Sequence, residues 1–149
     1  MRILITGGAG FVGTNLIKQA LKENHEIVSL DNYSTGKKEN HVDGATYFNG
    51  DANDINLFCH GKFDLCFHLA GLSRIQPSFA NPKEIFHSNT ETVLSVLEWA
   101  RKKSVKVIYS DSSSKQHNPF ISPYAIFKYL GEEICRLYRE TFKIKVENS

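Results

Sequence analysis

The chain has 149 residues, about the size of one ordinary domain, and 41% of them are hydrophobic, so it can bury a substantial core. Its 18 basic and 16 acidic side chains give a formal net charge of +2, a near balance that argues against a nucleic-acid partner. No window approaches the roughly 18 apolar residues that a membrane span requires. The three cysteines lack metal-ligand spacing, and Cys66 lies in an apolar run, which predicts a buried free thiol. These features predict a soluble, cytoplasmic domain without a membrane or nucleic-acid partner.

Short apolar runs alternate with longer helical segments along the chain. The patterns predict strands at residues 2–6, 26–31, 45–49, 63–70, 105–109 and 143–147. They predict helices at residues 11–23, 82–102 and 122–141, with Pro82 and Pro123 in first turns and Asn81 as a candidate cap. Strands that alternate with helices imply crossover connections. We therefore predict an α/β fold, a doubly wound Rossmann-type parallel sheet of about six strands in the order 3-2-1-4-5-6 with helices on both faces.

A glycine-rich turn follows the first predicted strand. Gly7, Gly10 and Gly13 form a G-x-x-G-x-x-G pattern between a strand and a helix. Glycines permit the tight turn and let backbone N–H groups approach a pyrophosphate, and the following helix N-terminus favours negative charge. Asp31 ends the second strand about 20 residues further on, where a carboxylate hydrogen-bonds the ribose hydroxyls and repels a 2′-phosphate. The pattern predicts binding of NAD rather than NADP.

These motifs resemble those of the extended short-chain dehydrogenase/reductases, specifically the NAD-dependent nucleotide-sugar epimerases and dehydratases. The resemblance spans essentially the whole chain and keeps the family's order of motifs. It rests on the glycine turn at 6–13, the loop at 30–36, Gly50-Asp51, His68-Leu69-Ala70-Gly71, Asn81-Pro82 with Asn89, and the Tyr-x-x-x-Lys motif at 124–128. It implies that NAD is held by Gly7, Gly10, Phe11, Val12, Gly13, Asp31, Asn32, Ser34, Thr35, Gly36, Asp51, Ala52, Leu69, Ala70, Gly71, Asn89, Tyr124 and Lys128.

Tyr124 and Lys128 are the candidate catalytic pair. Their spacing places both side chains on one face of the predicted helix. A lysine ammonium near a phenol favours the phenolate and lowers a pKa that is about 10 when unperturbed. Tyr124 is therefore a candidate general base, and a surface pair on an amphipathic helix is the alternative. The resemblance implies a third group, a serine hydroxyl at the end of the fifth strand, for which Ser112 is the best match and Ser110 and Ser113 are alternatives.

His68 lies inside an apolar strand and is predicted to be a packed structural histidine rather than a catalytic residue. The chain also departs from the family pattern in three places. The segment before Tyr124 is short and carries residues 115–118 where Val-Tyr-Gly is usual, and Thr92 stands where glycine is usual. Family members also continue with a C-terminal region that grips the nucleotide-sugar. We therefore interpret residues 1–149 as the NAD-binding domain without that substrate region.

The resemblance implies hydride transfer between a nucleotide-sugar and NAD through a keto-sugar intermediate, with a UDP-linked sugar as the expected substrate. Dehydratases of the family place Asp-Glu after the catalytic hydroxyl, whereas Ser113-Ser114 follow Ser112 here, which favours a sugar 4-epimerase, an isomerase. A truncated, non-catalytic NAD-binding module or sensor is the alternative. Helices 82–102 and 122–141 are apolar on more than one face, so we predict a homodimer through them. The other explanation is that a C-terminal region covers these apolar faces.

Overall fold

The computed structural model describes residues 1–113 and 118–149, so Ser114 and residues 115–117 of the short segment lie outside the described residues. The described chain forms one parallel sheet in the order β3-β2-β1-β4-β5-β6, which confirms the predicted Rossmann-type fold. Its strands are β1 (Arg2–Thr6), β2 (Glu26–Asp31), β3 (Thr46–Asn49), β4 (Leu65–His68), β5 (Lys106–Tyr109) and β6 (Val146–Asn148).

Helices cover both faces of the sheet. They are α1 (Phe11–Lys22), α2 (Ile55–Phe58), α3 (Ile75–Ala80), α4 (Pro82–Phe86), α5 (Thr92–Lys103) and α6 (Pro123–Phe142). Ile3 and Ile5 of β1 pack against Ile17 of α1 on one face, while Leu4 belongs to a larger cluster with Trp99 of α5 on the other. Alternate residues of β1 thus serve two cores, which is why its sequence is a continuous apolar run.

The predicted helix at 82–102 is present as one continuous helical segment, but it is not α-helical throughout. A π-helical turn, His87–Glu91, separates α4 from α5. Asn81 makes no side-chain cap at α4, although Pro82 does occupy its first turn as predicted. Ser122 begins α6 as expected, since its Oγ accepts a hydrogen bond of 3.1 Å from the N–H of Ala125.

The last strand begins later than predicted. Lys143 ends α6 in the left-handed conformation, with a φ of 56°, so the chain turns before it can pair with β5 at Val146. The fourth strand is also shorter than predicted, and α2 and α3 were not predicted. Cys66 is a buried free thiol, as predicted, and so are Cys59 and Cys135. Within the two described ranges, no helix has both the length and the apolar character needed to cross a membrane.

Candidate functional site

A cleft opens at the carboxyl ends of the central strands, between the turn after β1, the loop after β2, the segment after β4 and the start of α6. This is the place where doubly wound sheets bind ligands. The cleft brings together the glycine turn, the loop after Asp31, and both Tyr124 and Lys128. Every residue predicted to hold the cofactor lines the cleft except Asn89.

The glycines of the turn have different reasons to be glycine. Gly7 has a φ of +74°, and a Cβ added to Gly13 would overlap the carbonyl oxygen of Gly7 and lie 2.6 Å from the Cα of Gly8. The fold therefore requires both. A Cβ on Gly10 would meet only the Gly7 oxygen, at 3.3 Å, while Gly10 itself lines the cleft. The absence of a side chain at Gly10 therefore fits a group that approaches the backbone from within the cleft.

The N-terminus of α1 faces the same cleft without a side-chain cap. Gly10 is the N-cap residue, no described side chain caps it, and the first turn carries no acidic residue. The side chains of Phe11 and Val12 are mostly exposed, at 85% and 62%. First-turn N–H groups have no partners inside a helix, so this terminus suits an anionic group such as a pyrophosphate.

Asp31 holds the two loops that border the cleft. Its carboxylate is buried and accepts hydrogen bonds from the N–H of Ala9, at 2.9 Å, and from the N–H of Tyr33, at 2.8 Å. An ionised carboxylate has about four acceptor positions, so Asp31 retains the capacity to accept from ribose hydroxyls. At the same end of the cleft, the amide of Asn32 donates to the carboxylate of Asp51 at 3.0 Å.

The predicted catalytic groups converge at the other end. The hydroxyl of Tyr124 donates to the Oγ of Ser112 at 3.5 Å. The ammonium of Lys128 donates to the carbonyl oxygen of Ser110 at 2.6 Å. Ser110 thus presents its carbonyl to the lysine, and Ser112 presents its hydroxyl to the tyrosine. Ser112 does not line the cleft, whereas Ser110 and Asp111 do.

Lys128 is an unusual lysine because it is buried. Burial lowers the pKa of its ammonium to about 8, with the nearby carboxylate of Asp111 acting in the opposite direction. Lys128 also lies 4.6 Å above the ring of Tyr109. At neutral pH the group remains largely a cation, enclosed where water screens its charge poorly.

Asn89 lies behind the wall of the cleft rather than on its surface. Its Oδ1 accepts from the N–H of Leu72 at 2.7 Å, and its Nδ2 donates to the carbonyl of Leu72 at 2.8 Å. Both ends of the amide are therefore occupied by backbone. The structure places Asn89 where it shapes the segment after β4, not where it was predicted to touch the cofactor.

His68 is packed in the interior, in agreement with the prediction of a structural residue. It is 1% exposed, and its Nδ1 lies 2.7 Å from the Oγ1 of Thr6. Burial, with the positive charge of Lys128 as a second cause, lowers the pKa of His68 to about 3. The imidazole is therefore neutral at physiological pH and has no access to a substrate.

Several residues line the cleft that the sequence did not single out for the cofactor: Leu72, Ser73, Ser88, Thr92 and Asp111. Ser88 precedes Asn89 in the π-helical turn, and Asp111 lies between two serines that were considered. The apolar pattern does not indicate these positions, because four of the side chains are polar and Leu72 lies in the irregular segment after β4.

The chain matches known proteins over nearly its whole length. The model of the NAD dependent epimerase/dehydratase family matches residues 3–148. A UDP-glucose 4-epimerase of Corynebacterium glutamicum is 32% identical over 126 residues, which cover 83% of this chain and 38% of that protein. The UDP-glucose 4-epimerase of Thermotoga maritima, solved with UDP-glucose, is 27% identical with a TM-score of 0.92, covering 99% of this chain and 54% of its own. The Thermus thermophilus UDP-glucose 4-epimerase in complex with NAD is 26% identical, with a TM-score of 0.87. That match covers 99% of this chain and 54% of the Thermus thermophilus chain.

The chain thus spans about half the length of these solved structures, and less of the C. glutamicum protein. The predicted cofactor, NAD, is the one named for the family, and the predicted resemblance to nucleotide-sugar epimerases and dehydratases is confirmed. The family model matches residues 3–148, and the fold and the cleft agree with that match. The chain therefore belongs to the NAD dependent epimerase/dehydratase family.

Proposed function

We propose that this chain binds NAD in the cleft and forms the cofactor-binding part of a nucleotide-sugar epimerase, a 4-epimerase acting on a UDP-linked sugar. The observation that carries the proposal is the convergence of three groups distant in sequence. The glycine turn, Asp31 and the Tyr124–Lys128 pair line one cleft. The similarity to UDP-glucose 4-epimerases, one of them solved with UDP-glucose, supports the choice of substrate class.

The proposed cofactor orientation follows from the chemistry of the two ends. The uncapped N-terminus of α1 beside Gly10 would hold the pyrophosphate. Asp31 would accept hydrogen bonds from the adenosine ribose, and Asp51 would meet the adenine. The nicotinamide end would then lie beside Tyr124 and Lys128.

NAD, when bound, supplies the acceptor for hydride from the sugar carbon. Residues of the chain itself would transfer the proton. Tyr124 would take the proton from the sugar hydroxyl, and Lys128, four residues further along α6, would place its positive charge in the same cleft. The Oγ of Ser112, within 3.5 Å of the Tyr124 hydroxyl, would hydrogen-bond the sugar oxygen as it becomes a carbonyl. The residue after Ser112 is Ser113 rather than an acid, which favours epimerisation over elimination of water.

The test is turnover of UDP-glucose and UDP-galactose by the purified protein with NAD, followed by chromatography of the sugars. We expect interconversion by the wild type, no turnover by Tyr124→Phe, and unchanged NADH binding by that variant. Tyr129→Phe, on the same helix but outside the cleft, is the matched control. Full turnover by Tyr124→Phe would contradict the assigned base. NADH binding without turnover in the wild type would instead favour the non-catalytic module.

We also propose that the protein forms a homodimer through α4, α5 and α6. Much of the apolar surface predicted for this role, including Val96, Leu97 and Trp99, is buried in the chain's own core. What supports the proposal is the remaining exposed set on the same helices: Phe86, Leu94, Leu130 and Leu137. Such side chains on neighbouring helices suit an isologous contact.

Light scattering at micromolar concentration tests this assembly. We expect a dimer mass for the wild type and for Leu57→Glu, an equally drastic change at an exposed position on α2. We expect a monomer mass for Leu137→Glu. A monomeric wild type would contradict the dimer.

The three free, buried thiols support a location in the reducing cytoplasm.

A further inference from the structure

A chain of buried hydrogen bonds runs beneath the cleft from β1 to the π-helical turn. The Oγ1 of Thr6 accepts from the N–H of Ala70 at 3.2 Å and lies 2.7 Å from the Nδ1 of His68. The Nε2 of His68 lies 3.4 Å from the Oγ1 of Thr92, which donates to the carbonyl of Ser88 at 2.6 Å. Thr6, His68 and Thr92 are exposed by 0%, 1% and 3% respectively.

The number of protons on each group determines which atom donates in each of these hydrogen bonds. The hydroxyl of Thr92 has one proton, which goes to Ser88, so toward His68 it can only accept. The proton of the neutral imidazole is therefore on Nε2, and the bare Nδ1 accepts from the hydroxyl of Thr6. The oxygen of Thr6 in turn accepts from Ala70. In this one arrangement both ring nitrogens and both hydroxyl protons have partners.

Both ends of this series of hydrogen bonds reach the wall of the cleft. Ala70, Ser88 and Thr92 all line it. The carbonyl of Ser88 belongs to the π-helical turn, in which the regular ladder of helical hydrogen bonds is interrupted. The hydroxyl of Thr92 therefore adds a side-chain hydrogen bond at the place where the helical pattern changes.

We propose that Thr92 is a positioning residue for the cofactor cleft, acting through His68 and through the carbonyl of Ser88. Its hydroxyl fixes His68 in one tautomer and joins the segment after β4 to the π-helical turn. These two segments lie side by side in the lining of the cleft, where Asn89 also joins them through the backbone of Leu72, so their relative position affects the fit of the cleft to a dinucleotide. The inference rests on the proposed function, because NAD affinity is the property that Thr92 sets.

The first test compares Thr92→Val, which keeps the shape and removes the hydroxyl, with Thr92→Ser, which keeps the hydroxyl. NADH affinity is measured by nicotinamide fluorescence at a temperature where thermal scans show each variant fully folded. We expect the dissociation constant of Thr92→Val to rise about tenfold, and Thr92→Ser to recover most of that loss. A merely structural role would lower the unfolding temperature of Thr92→Val and leave the affinity of folded molecules unchanged, which would overturn the inference. If the wild type binds no NADH, the proposed function itself fails and this inference fails with it.

The second test is independent of the cofactor. The ring nitrogens of His68, observed by ¹⁵N NMR in the wild type, should show a protonated Nε2 and a bare Nδ1. Thr92→Val should shift the Nε2 resonance, and Thr92→Ser should leave it near its wild-type position. A wild-type ring protonated on Nδ1 would overturn the arrangement even if NADH binds.

Discussion

The carboxylate of Asp31 accepts a hydrogen bond of 2.9 Å from the backbone N–H of Ala9, which ties the end of β2 to the glycine turn after β1. Its other oxygen accepts from the N–H of Tyr33 at 2.8 Å. The residue proposed to hold the ribose therefore also shapes the protein around it. A substitution at this position acts on two properties that must be measured separately, the affinity for the cofactor and the free energy of unfolding.

Replacing Asp31 should change both affinity and cofactor preference. We expect Asp31→Asn to weaken NADH binding about tenfold, as expected for loss of a charged hydrogen-bond acceptor. It should also narrow the preference for NADH over NADPH, because the carboxylate no longer repels a 2′-phosphate. Fluorescence titrations with both nucleotides measure this, with Asp43→Ala as an exposed control. Unchanged affinity and preference in Asp31→Asn would remove Asp31 from the proposed site.

Two glycines of the turn should respond differently to alanine. A methyl on Gly13 would overlap the Gly7 carbonyl, so Gly13→Ala should lower the free energy of unfolding by about 1–3 kcal/mol. Gly10 has a φ of −81°, which alanine adopts freely, and its added methyl meets only an oxygen at 3.3 Å. Gly10→Ala should therefore change stability by less than about 1 kcal/mol. Urea denaturation measures both variants, and an equal loss in the two would contradict the account of Gly10.

His68 should make the protein sensitive to acid. Its pKa is lowered to about 3 in the folded state, against about 6.5 when unfolded, so its contribution to stability is present above pH 6.5. That contribution is lost as the pH falls from 6.5 toward 3, with a slope that approaches about 1.4 kcal/mol per pH unit. Urea denaturation of the wild type and His68→Gln at pH 7 and pH 5 isolates the contribution of His68 to the free energy of unfolding, with His60→Gln as an exposed control. Parallel pH profiles for the wild type and His68→Gln would show that His68 is not the cause.

Much of the fold could be predicted because its strands carry a strong signal. β1 and β2 are buried on both faces, so their interior residues are mostly apolar, with Ser29 of β2 as the polar exception. The π-helical turn at His87–Glu91 could not be predicted, since apolar residues before and after it keep a helical spacing. The error at β6 has a local cause. The left-handed Lys143 delays the strand, and a lysine gives no warning of that conformation.

The site could be predicted where one short segment carries it and less well where distant residues meet. The glycine turn and the Tyr124–Lys128 spacing are local, and both lie in the cleft as expected. The link between His68 and Thr92 joins positions 24 residues apart, and only packing brings them together. The same holds for Asn89, whose amide is used by the backbone of Leu72 rather than offered to the cleft.

A titration of the purified 149-residue protein with NADH, followed by nicotinamide fluorescence, tests whether this cleft is the cofactor site. Gly10→Ala is the informative variant, because Gly10 lines the cleft and a Cβ added there would meet only the Gly7 oxygen, at 3.3 Å. We predict saturable binding by the wild type and its loss in Gly10→Ala, with free energies of unfolding that differ by less than about 1 kcal/mol. Absence of binding by the folded wild type, or equal binding by Gly10→Ala, would contradict NAD binding in this cleft.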